Sequence, residues 1–234
     1  MCIRDSRWKE RDPNWKPAAY QKEQDPIRGV FAYVADGLLQ PGEEAPAHQP
    51  QLLPGQVKLK NINGDDKLNE EDMVLIGRND PKFIFGFNNN FSYKNFDLNI
   101  YMYGQVGKIA GANSYYDAWG SYGNRIKLGQ NVPVSFKDAW SSDNQTSTRP
   151  SFIESAYGTG DLFLQKISFL RIRNITLGYT VPISKSICNR LRVYADINNP
   201  CVWTNWKGQD PETDSNTNAY PNVTSFSIGV DISF

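Results

Sequence analysis

The segment NINGDDKLNEED, residues 61–72, has the residue types and spacing of a loop that binds a cation. Oxygen ligands at alternating positions allow a twelve-residue loop to wrap Ca²⁺, as in the EF-hand pattern. Two departures weaken the match, because Asp66 replaces the usual glycine and the last position is Asp rather than Glu. The alternative is a solvated acidic turn held by hydrogen bonds from side chains to the backbone. The sequence therefore predicts a weak calcium site whose ligands are Asn61, Asn63, Asp65, the Lys67 carbonyl, Asn69 and Asp72.

Residues for catalysis are missing from the sequence. The single histidine, His48, lies in a stretch rich in Pro and Gln, and no serine stands in a G-x-S-x-G context. The segment GQVGKIAG, residues 104–111, departs from a phosphate loop because Ile109 follows Lys108. No Cys and His cluster has zinc spacing. We expect a protein that is not an enzyme, with calcium as its only cofactor. The net charge of zero gives no reason to expect a nucleic-acid partner.

Aromatic residues in two segments between strands are candidates for contact with a substrate or a partner protein. Exposed aromatic rings stack on sugar rings and anchor protein interfaces. The alternative is packing within the loops or a belt of interfacial aromatics. The candidates are Trp203, Trp206, Tyr115, Tyr116 and Trp119.

Apolar and polar residues alternate in several segments, a pattern typical of antiparallel strands with one apolar and one wet face. The chain ends on such a segment, with apolar side chains at Phe226, Ile228, Val230, Ile232 and Phe234 and polar or small ones between them. Long helical patterns are absent. About six strands are predicted, at 27–35, 82–92, 96–104, 162–180, 190–198 and 222–234.

The connections between these strands alternate strictly between long and short. The short ones are 93–95 and 181–189, whereas the long ones cover about 36–81, 105–161 and 199–221. Outer-membrane barrels combine short periplasmic turns with long extracellular loops, and compact soluble domains rarely carry three loops of this length. On this interpretation the apolar positions face lipid. The alternative is a secreted β-sandwich that binds carbohydrate, with the apolar face covering a core.

The order of these segments resembles the C-terminal end of a SusC/RagA-type TonB-linked outer-membrane transporter of Bacteroidota. The resemblance depends on five segments in combination and covers about residues 27–234. The segments are NINGDDKLNEED, IGRNDPKFIFGFNNNFSYKNFDLNIYMYGQVG, LQKISFLRIRNITLGYTVP, LRVYADINNPCVWTNWKGQDPE and SFSIGVDISF. Residues 1–26 are interpreted as a non-native or partial N-terminal segment, because MCIRDS resembles a translated adapter sequence.

The resemblance implies an all-β antiparallel meander that supplies the last six or so strands of a plugged barrel of about 22 strands. In isolation these strands would form an open partial barrel. The implied function is energy-coupled import of glycans or oligopeptides across the bacterial outer membrane. The implied partners are membrane lipid, a SusD-like surface lipoprotein, TonB acting through an upstream part, and the barrel-assembly machinery. The terminal segment Phe226–Phe234 resembles the signal that this machinery reads.

Overall fold

The computed structural model describes most of the chain and contains nine strands among the described residues. Short 3-10 helices cover Glu70–Asp72 and Val134–Asp138. None of the described helices is long and apolar enough to cross a membrane. The described residues are 16, 18–22, 25–110, 128, 129, 131, 134–152, 155–183, 188–207, 210–213, 220 and 222–234. The strands are β1 Gly29–Ala32, β2 Ala35–Leu38, β3 Val57–Leu59, β4 Val74–Arg78, β5 Phe83–Tyr93, β6 Phe96–Ala110, β7 Gln165–Val181, β8 Arg190–Thr204 and β9 Ser225–Ser233.

The described residues fall into two compact units. One unit is drawn from Met1–Asp80 and Ile109–Gln165, and the other from Pro81–Lys108 and Lys166–Phe234. The second unit carries the main sheet, in which five strands pair in sequence order from β5 to β9. The pairs β5–β6, β7–β8 and β8–β9 are antiparallel, as expected for strands joined by reversals of the chain. The predicted antiparallel meander is therefore confirmed, and it is an open sheet with β5 and β9 at its edges.

Register separates the two faces of this sheet cleanly, because residues opposite each other in an antiparallel pair project to the same side. Val193 pairs with Val230 and Leu191 with Ile232, which builds an apolar face. Between them, Arg192 pairs with Asp231 on the other side, which we call the polar face. The alternation seen in the sequence thus becomes a sheet with one apolar and one polar surface.

The predicted first strand at 27–35 does not join the main sheet, so that sheet has five strands rather than six. The segment divides instead between β1, which pairs with β4, and β2, which pairs with β3. Its pattern is weakly alternating, and a register shift between Val30 and Phe31 interrupts the β1–β4 pairing. Short irregular strands of this kind form small two-stranded sheets and do not extend a long ladder.

The first unit has its own apolar core beside the β2–β3 sheet. Leu38, Val57 and Leu59 are almost completely buried there. Tyr33, Trp140 and other partly buried side chains pack against them. A segment that the sequence predicts to be one long loop therefore contains strands and buries a core.

Gly55 provides a direct test of this packing. Its φ of +83° favours glycine, and a Cβ at this position would overlap the indole ring of Trp140. Gly42 has a nearly identical φ of +82° but no heavy atom within 4 Å of such a Cβ. We expect Gly55→Ala to lower the free energy of unfolding by about 1–3 kcal/mol more than Gly42→Ala, since only the first adds overpacking to backbone strain. Chemical denaturation of both variants measures the difference, and equal losses would contradict the packing argument.

Candidate functional site

The acidic loop at 61–72 is organised around the buried carboxylate of Asp72, which is 0% exposed. One of its oxygens accepts hydrogen bonds from the backbone N–H groups of Ile62 at 2.7 Å and Asn63 at 3.3 Å. The other oxygen accepts from the N–H of Asn69 at 3.0 Å. Asn69 in turn caps the 3-10 helix Glu70–Asp72, because its side chain accepts from the backbone N–H of Glu71. The carboxylate of Asp72 therefore holds the two ends of the loop together through hydrogen bonds from backbone N–H groups.

The other predicted calcium ligands also bond to the backbone of the loop. The Oδ1 of Asn61 accepts from Gly64 N–H, that of Asn63 from Asp65 N–H, and that of Asp65 from Lys67 N–H. These bonds are the ones expected of the alternative interpretation, an acidic turn held by side-chain-to-backbone bonds. No group of three or more His, Cys, Asp or Glu in the described part of the chain is arranged to hold a metal ion. The calcium site stays a prediction, and the carbonyl of Lys67 stays its fourth proposed ligand.

Asp72 makes the stability of this loop depend on pH. Burial raises the pKa of its carboxyl, but the three backbone N–H bonds outweigh burial and hold the pKa below its ordinary value. A lowered pKa means that the stabilisation is present above the unfolded pKa and is lost as pH falls through the folded one. We expect Asp72→Asn to cost about 1–3 kcal/mol at neutral pH. Hydrogen exchange at the backbone amides of Ile62 and Asn63 measures this loss of loop stability.

The matched control for this substitution is Asp66→Asn, which changes an exposed carboxylate in the same loop. Faster exchange in Asp72→Asn alone is the expected result. Equal exchange in both variants would show that the buried carboxylate does not close the loop. Adding calcium to the wild-type protein in the same experiment tests the predicted cation site, since binding would slow exchange across the loop.

The predicted contact aromatics differ in exposure. Trp203 lies opposite Leu170 in the β7–β8 pair and is 53% exposed, whereas Trp206 is only 7% exposed. Trp203 is therefore accessible to another molecule and Trp206 is largely covered. The other three candidates, Tyr115, Tyr116 and Trp119, lie outside the described residues. Contact of these aromatics with a substrate or partner stays a prediction.

The C-terminal strand presents its predicted apolar side chains to the exterior. Phe226, Ile228, Val230 and Ile232 are each more than half exposed, and Phe234 is 87% exposed. A sandwich would cover such a face with a second sheet, because burying apolar surface is what stabilises it. This exposed apolar surface suits contact with lipid.

The polar face carries hydrogen-bonded groups of side chains that join neighbouring strands. Arg192 bonds to Asp97 at 2.6 Å and to Asp231 at 3.1 Å, which links β8 to β6 and β9. Asn99 donates to the side-chain oxygens of Asn88 and Asn90 across the β5–β6 pair. Side chains of this kind match a water-filled interior, and their polarity agrees with the predicted wet face.

A buried ion cluster on β7 is the feature that the sequence analysis did not find. The guanidinium of Arg171, 3% exposed, donates to both carboxylate oxygens of Asp210 at 2.8 Å. The next arginine along the strand, Arg173, bonds to Glu212 at 2.7 Å. Glu212 also lies 3.1 Å from the Nε of Arg171. These contacts fasten the segment Asp210–Glu212, between β8 and β9, to the middle of the sheet.

A register irregularity explains how two arginines of one strand reach the polar face. Strict alternation would place Arg173 on the side of Ile175 and Leu177, which belong to the apolar face. The β7–β8 register shifts between Ile172 and Asn174, and a bulge of this kind re-aims side chains. The available signal was the pair of arginines in LRIRN together with the acidic residues of DPE at 210–212, because two arginines at alternate positions of a strand require partners.

The carboxylate of Asp210 also accepts hydrogen bonds from groups other than Arg171. It accepts from the backbone N–H of Glu212 at 2.9 Å and from the backbone and side chain of Asn222. Burial raises the pKa of the Asp210 carboxyl, but these hydrogen bonds and the charge of Arg171 hold it below its ordinary value. Both ends of the loop between β8 and β9 therefore converge on one ionised carboxylate.

A polar cavity of 280 Å³ lies next to this cluster on the same face. Tyr101 and Tyr103 come from β6, and the ring of Tyr103 packs against Phe169 of β7 at 5.8 Å between centroids. The arrangement can accept a small ligand through hydrogen bonds and aromatic contact. The lining residues are Tyr101, Tyr103, Gln105, Lys108, Arg173 and Glu212.

Comparison with known proteins agrees with this geometry, although no protein-family model matches the chain. TonB-dependent receptor P3 of Formosa agariphila is 27% identical over 91% of the chain. TonB-dependent receptor SusC of Bacteroides thetaiotaomicron is 26% identical over 74% of the chain. The chain spans 23% and 17%, respectively, of the lengths of these two relatives.

Solved structures share the fold. The structure of the RagAB peptide transporter superposes with a TM-score of 0.67 at 22% identity, covering 88% of this chain and 23% of that one. The RagAB peptide importer in its closed-closed state gives a TM-score of 0.65 with the same coverage. In sequence and in fold the chain is therefore similar to a part of the SusC/RagA-type TonB-dependent receptors, which are β-barrel proteins of the bacterial outer membrane.

Proposed function

We propose that this chain forms part of the barrel wall of a receptor that imports glycans or oligopeptides across the outer membrane. The observation that carries the proposal is the division of one sheet into an exposed apolar face and a charged, hydrogen-bonded polar face. The apolar face contacts lipid, and the polar face lines the path of the substrate. The polar cavity and the ion cluster at Arg171 and Asp210 belong to this inner wall.

The partners of such a receptor follow from its relatives and are part of the proposal. A SusD-like surface lipoprotein covers the extracellular loops, and TonB supplies energy through a part of the receptor outside this chain. The RagAB structures, which concern a peptide transporter, support the inclusion of oligopeptides among the substrates.

Uptake by intact cells tests the function. Cells with and without the receptor receive a fluorescent mixture of neutral oligosaccharides or a fluorescent mixture of oligopeptides. We expect uptake of at least one mixture to depend both on the receptor and on TonB. Unchanged uptake after deletion of the receptor would overturn import as its function. Recovery of the protein as a soluble secreted monomer would instead support the carbohydrate-binding sandwich.

A further inference from the structure

We propose that the 280 Å³ cavity on the polar face is a substrate subsite that holds one uncharged, hydroxyl-rich unit, a single sugar ring. The inference rests on the proposed import function and names the substrate class for this position on the wall. Tyr101, Tyr103 and Gln105 occupy alternate positions of β6, so their side chains stand on one face of the strand. Arg173 of β7 and Glu212 also line the cavity.

The ion pair in the cavity wall suits a hydroxyl group. Arg173 and Glu212 are joined at 2.7 Å, so a cationic donor and an anionic acceptor stand side by side. A sugar hydroxyl both donates and accepts hydrogen bonds, and neighbouring hydroxyls of one ring can bond to both partners together. Hydrogen bonds to ionised groups are about twice as strong as those between neutral groups. The Arg173–Glu212 pair can therefore form strong hydrogen bonds with an uncharged ligand.

The same pair argues against a ligand carboxylate. The charge of Arg173 is already compensated by Glu212, and Glu212 would repel a second carboxylate placed beside it. Lys108, the other cation of the lining, is itself engaged by another group. The C-terminal carboxylate of a peptide or an acidic side chain would thus lose more hydration free energy than the cavity returns. An uncharged ring avoids this loss.

Size and aromatic surface agree with a sugar ring. Pockets for drug-sized ligands measure about 300 to 1,000 Å³, so a cavity of 280 Å³ admits one compact unit of a longer chain. Tyr101 is 39% exposed, and Tyr103 is fixed by its contact with Phe169. The partly exposed ring of Tyr101 can therefore stack on the C–H face of a sugar, beside the fixed ring of Tyr103.

Binding to the purified receptor that carries this chain tests the subsite. Isothermal titration measures the affinity for three probes: a mixture of neutral hexose oligosaccharides, oligogalacturonate and a tryptic peptide digest. The variant is Tyr101→Ala. The control is Tyr93→Ala, which removes a tyrosine that is 70% exposed at the other end of the same hairpin. We expect the neutral oligosaccharides to bind, and Tyr101→Ala to weaken them about tenfold while Tyr93→Ala leaves them unchanged.

Other results overturn the inference in distinguishable ways. Equal affinity of the wild type and Tyr101→Ala for the neutral oligosaccharides would show that the cavity is not part of the binding site. Receptor-dependent uptake would still support import in that case. Binding of the peptide digest or of oligogalacturonate, with no binding of neutral oligosaccharides, rejects the uncharged sugar. If the tenfold loss is observed but cells import nothing, the subsite stands and the import function fails.

Discussion

Replacing Arg171 by alanine is expected to release the segment Asp210–Glu212, between β8 and β9, from the polar face of the sheet. Arg171 and Asp210 are 3% and 4% exposed at their side chains and are joined at 2.8 Å. Removing one partner of a buried ion pair costs about 3–5 kcal/mol, because the remaining charge stays buried without its partner. The segment Asp210–Glu212 also contacts Arg173, so its release disturbs the cavity. Hydrogen exchange at the amides of Glu212 and Asn222 measures the effect.

The matched control is Arg28→Ala, which removes an ion pair of a different kind. The Arg28 side chain is 67% exposed and lies 3.2 Å from Asp80. Exposed pairs of this type contribute about 0.2–1 kcal/mol. We expect exchange at Asn222 to rise strongly in Arg171→Ala and to stay at the wild-type rate in Arg28→Ala. If the two variants behave alike, the buried cluster does not hold the loop.

Acidification should release the same segment in the wild-type protein. The lowered pKa of Asp210 means that its contribution is fully present above the unfolded pKa, about 3.9 for an aspartate. The contribution is lost as pH falls through the folded pKa, which lies below that value. In Asp210→Asn the exchange rate should lack this acidic transition once intrinsic exchange is corrected. A transition of the same size in that variant would assign the pH dependence to another group.

Placing a charge on the apolar face of β9, which we propose contacts lipid, is expected to destabilise the receptor in a bilayer. Val230 lies near the middle of the strand, opposite Val193, and is 55% exposed. A lysine or arginine at the bilayer midplane of a barrel costs about 2–4 kcal/mol. We therefore expect Val230→Lys to lower the stability of the receptor in lipid vesicles by this amount. Urea unfolding of the receptor in lipid vesicles measures this loss of stability.

An inner-face substitution on the same strand separates the lipid effect from a general intolerance of lysine. Ser225 pairs with Asn198 on the polar face. Lysine there would stand in water, so Ser225→Lys should unfold close to the wild-type urea concentration. A similar loss in both variants would mean that the two faces are not distinguished by lipid, contrary to the proposed orientation.

The average composition of the chain is a poor guide to its exposed apolar face. The mean hydropathy is −0.56, a value typical of a soluble protein. Only alternate residues of a barrel strand face lipid, and the loops are polar, so the average conceals the apolar surface. Period-two alternation at Ile228, Val230 and Ile232 was sufficient to predict that surface, because side-chain direction in a strand depends only on position.

The sequence by itself determined the long strands, their two faces, the turn at Lys94 and the resemblance to TonB-linked receptors. These features depend on residues close together in the chain, and the left-handed φ of 52° at Lys94 belongs to a tight reversal between β5 and β6. The acidic turn at 61–72 was also among the sequence-based alternatives, since its bonds join residues within ten positions.

Only the tertiary structure decided which distant groups meet. Arg171 and Asp210 are 39 residues apart, and a register shift that alternation does not predict lies next to Arg171 in the β7–β8 pair. Arg173, which lies at this shift, lines the cavity together with the tyrosines of β6. The prediction that 27–35 is a strand of the main sheet was wrong because strand pairing also depends on residues far away in the sequence. In the structure β1 pairs with β4, and β2 pairs with β3.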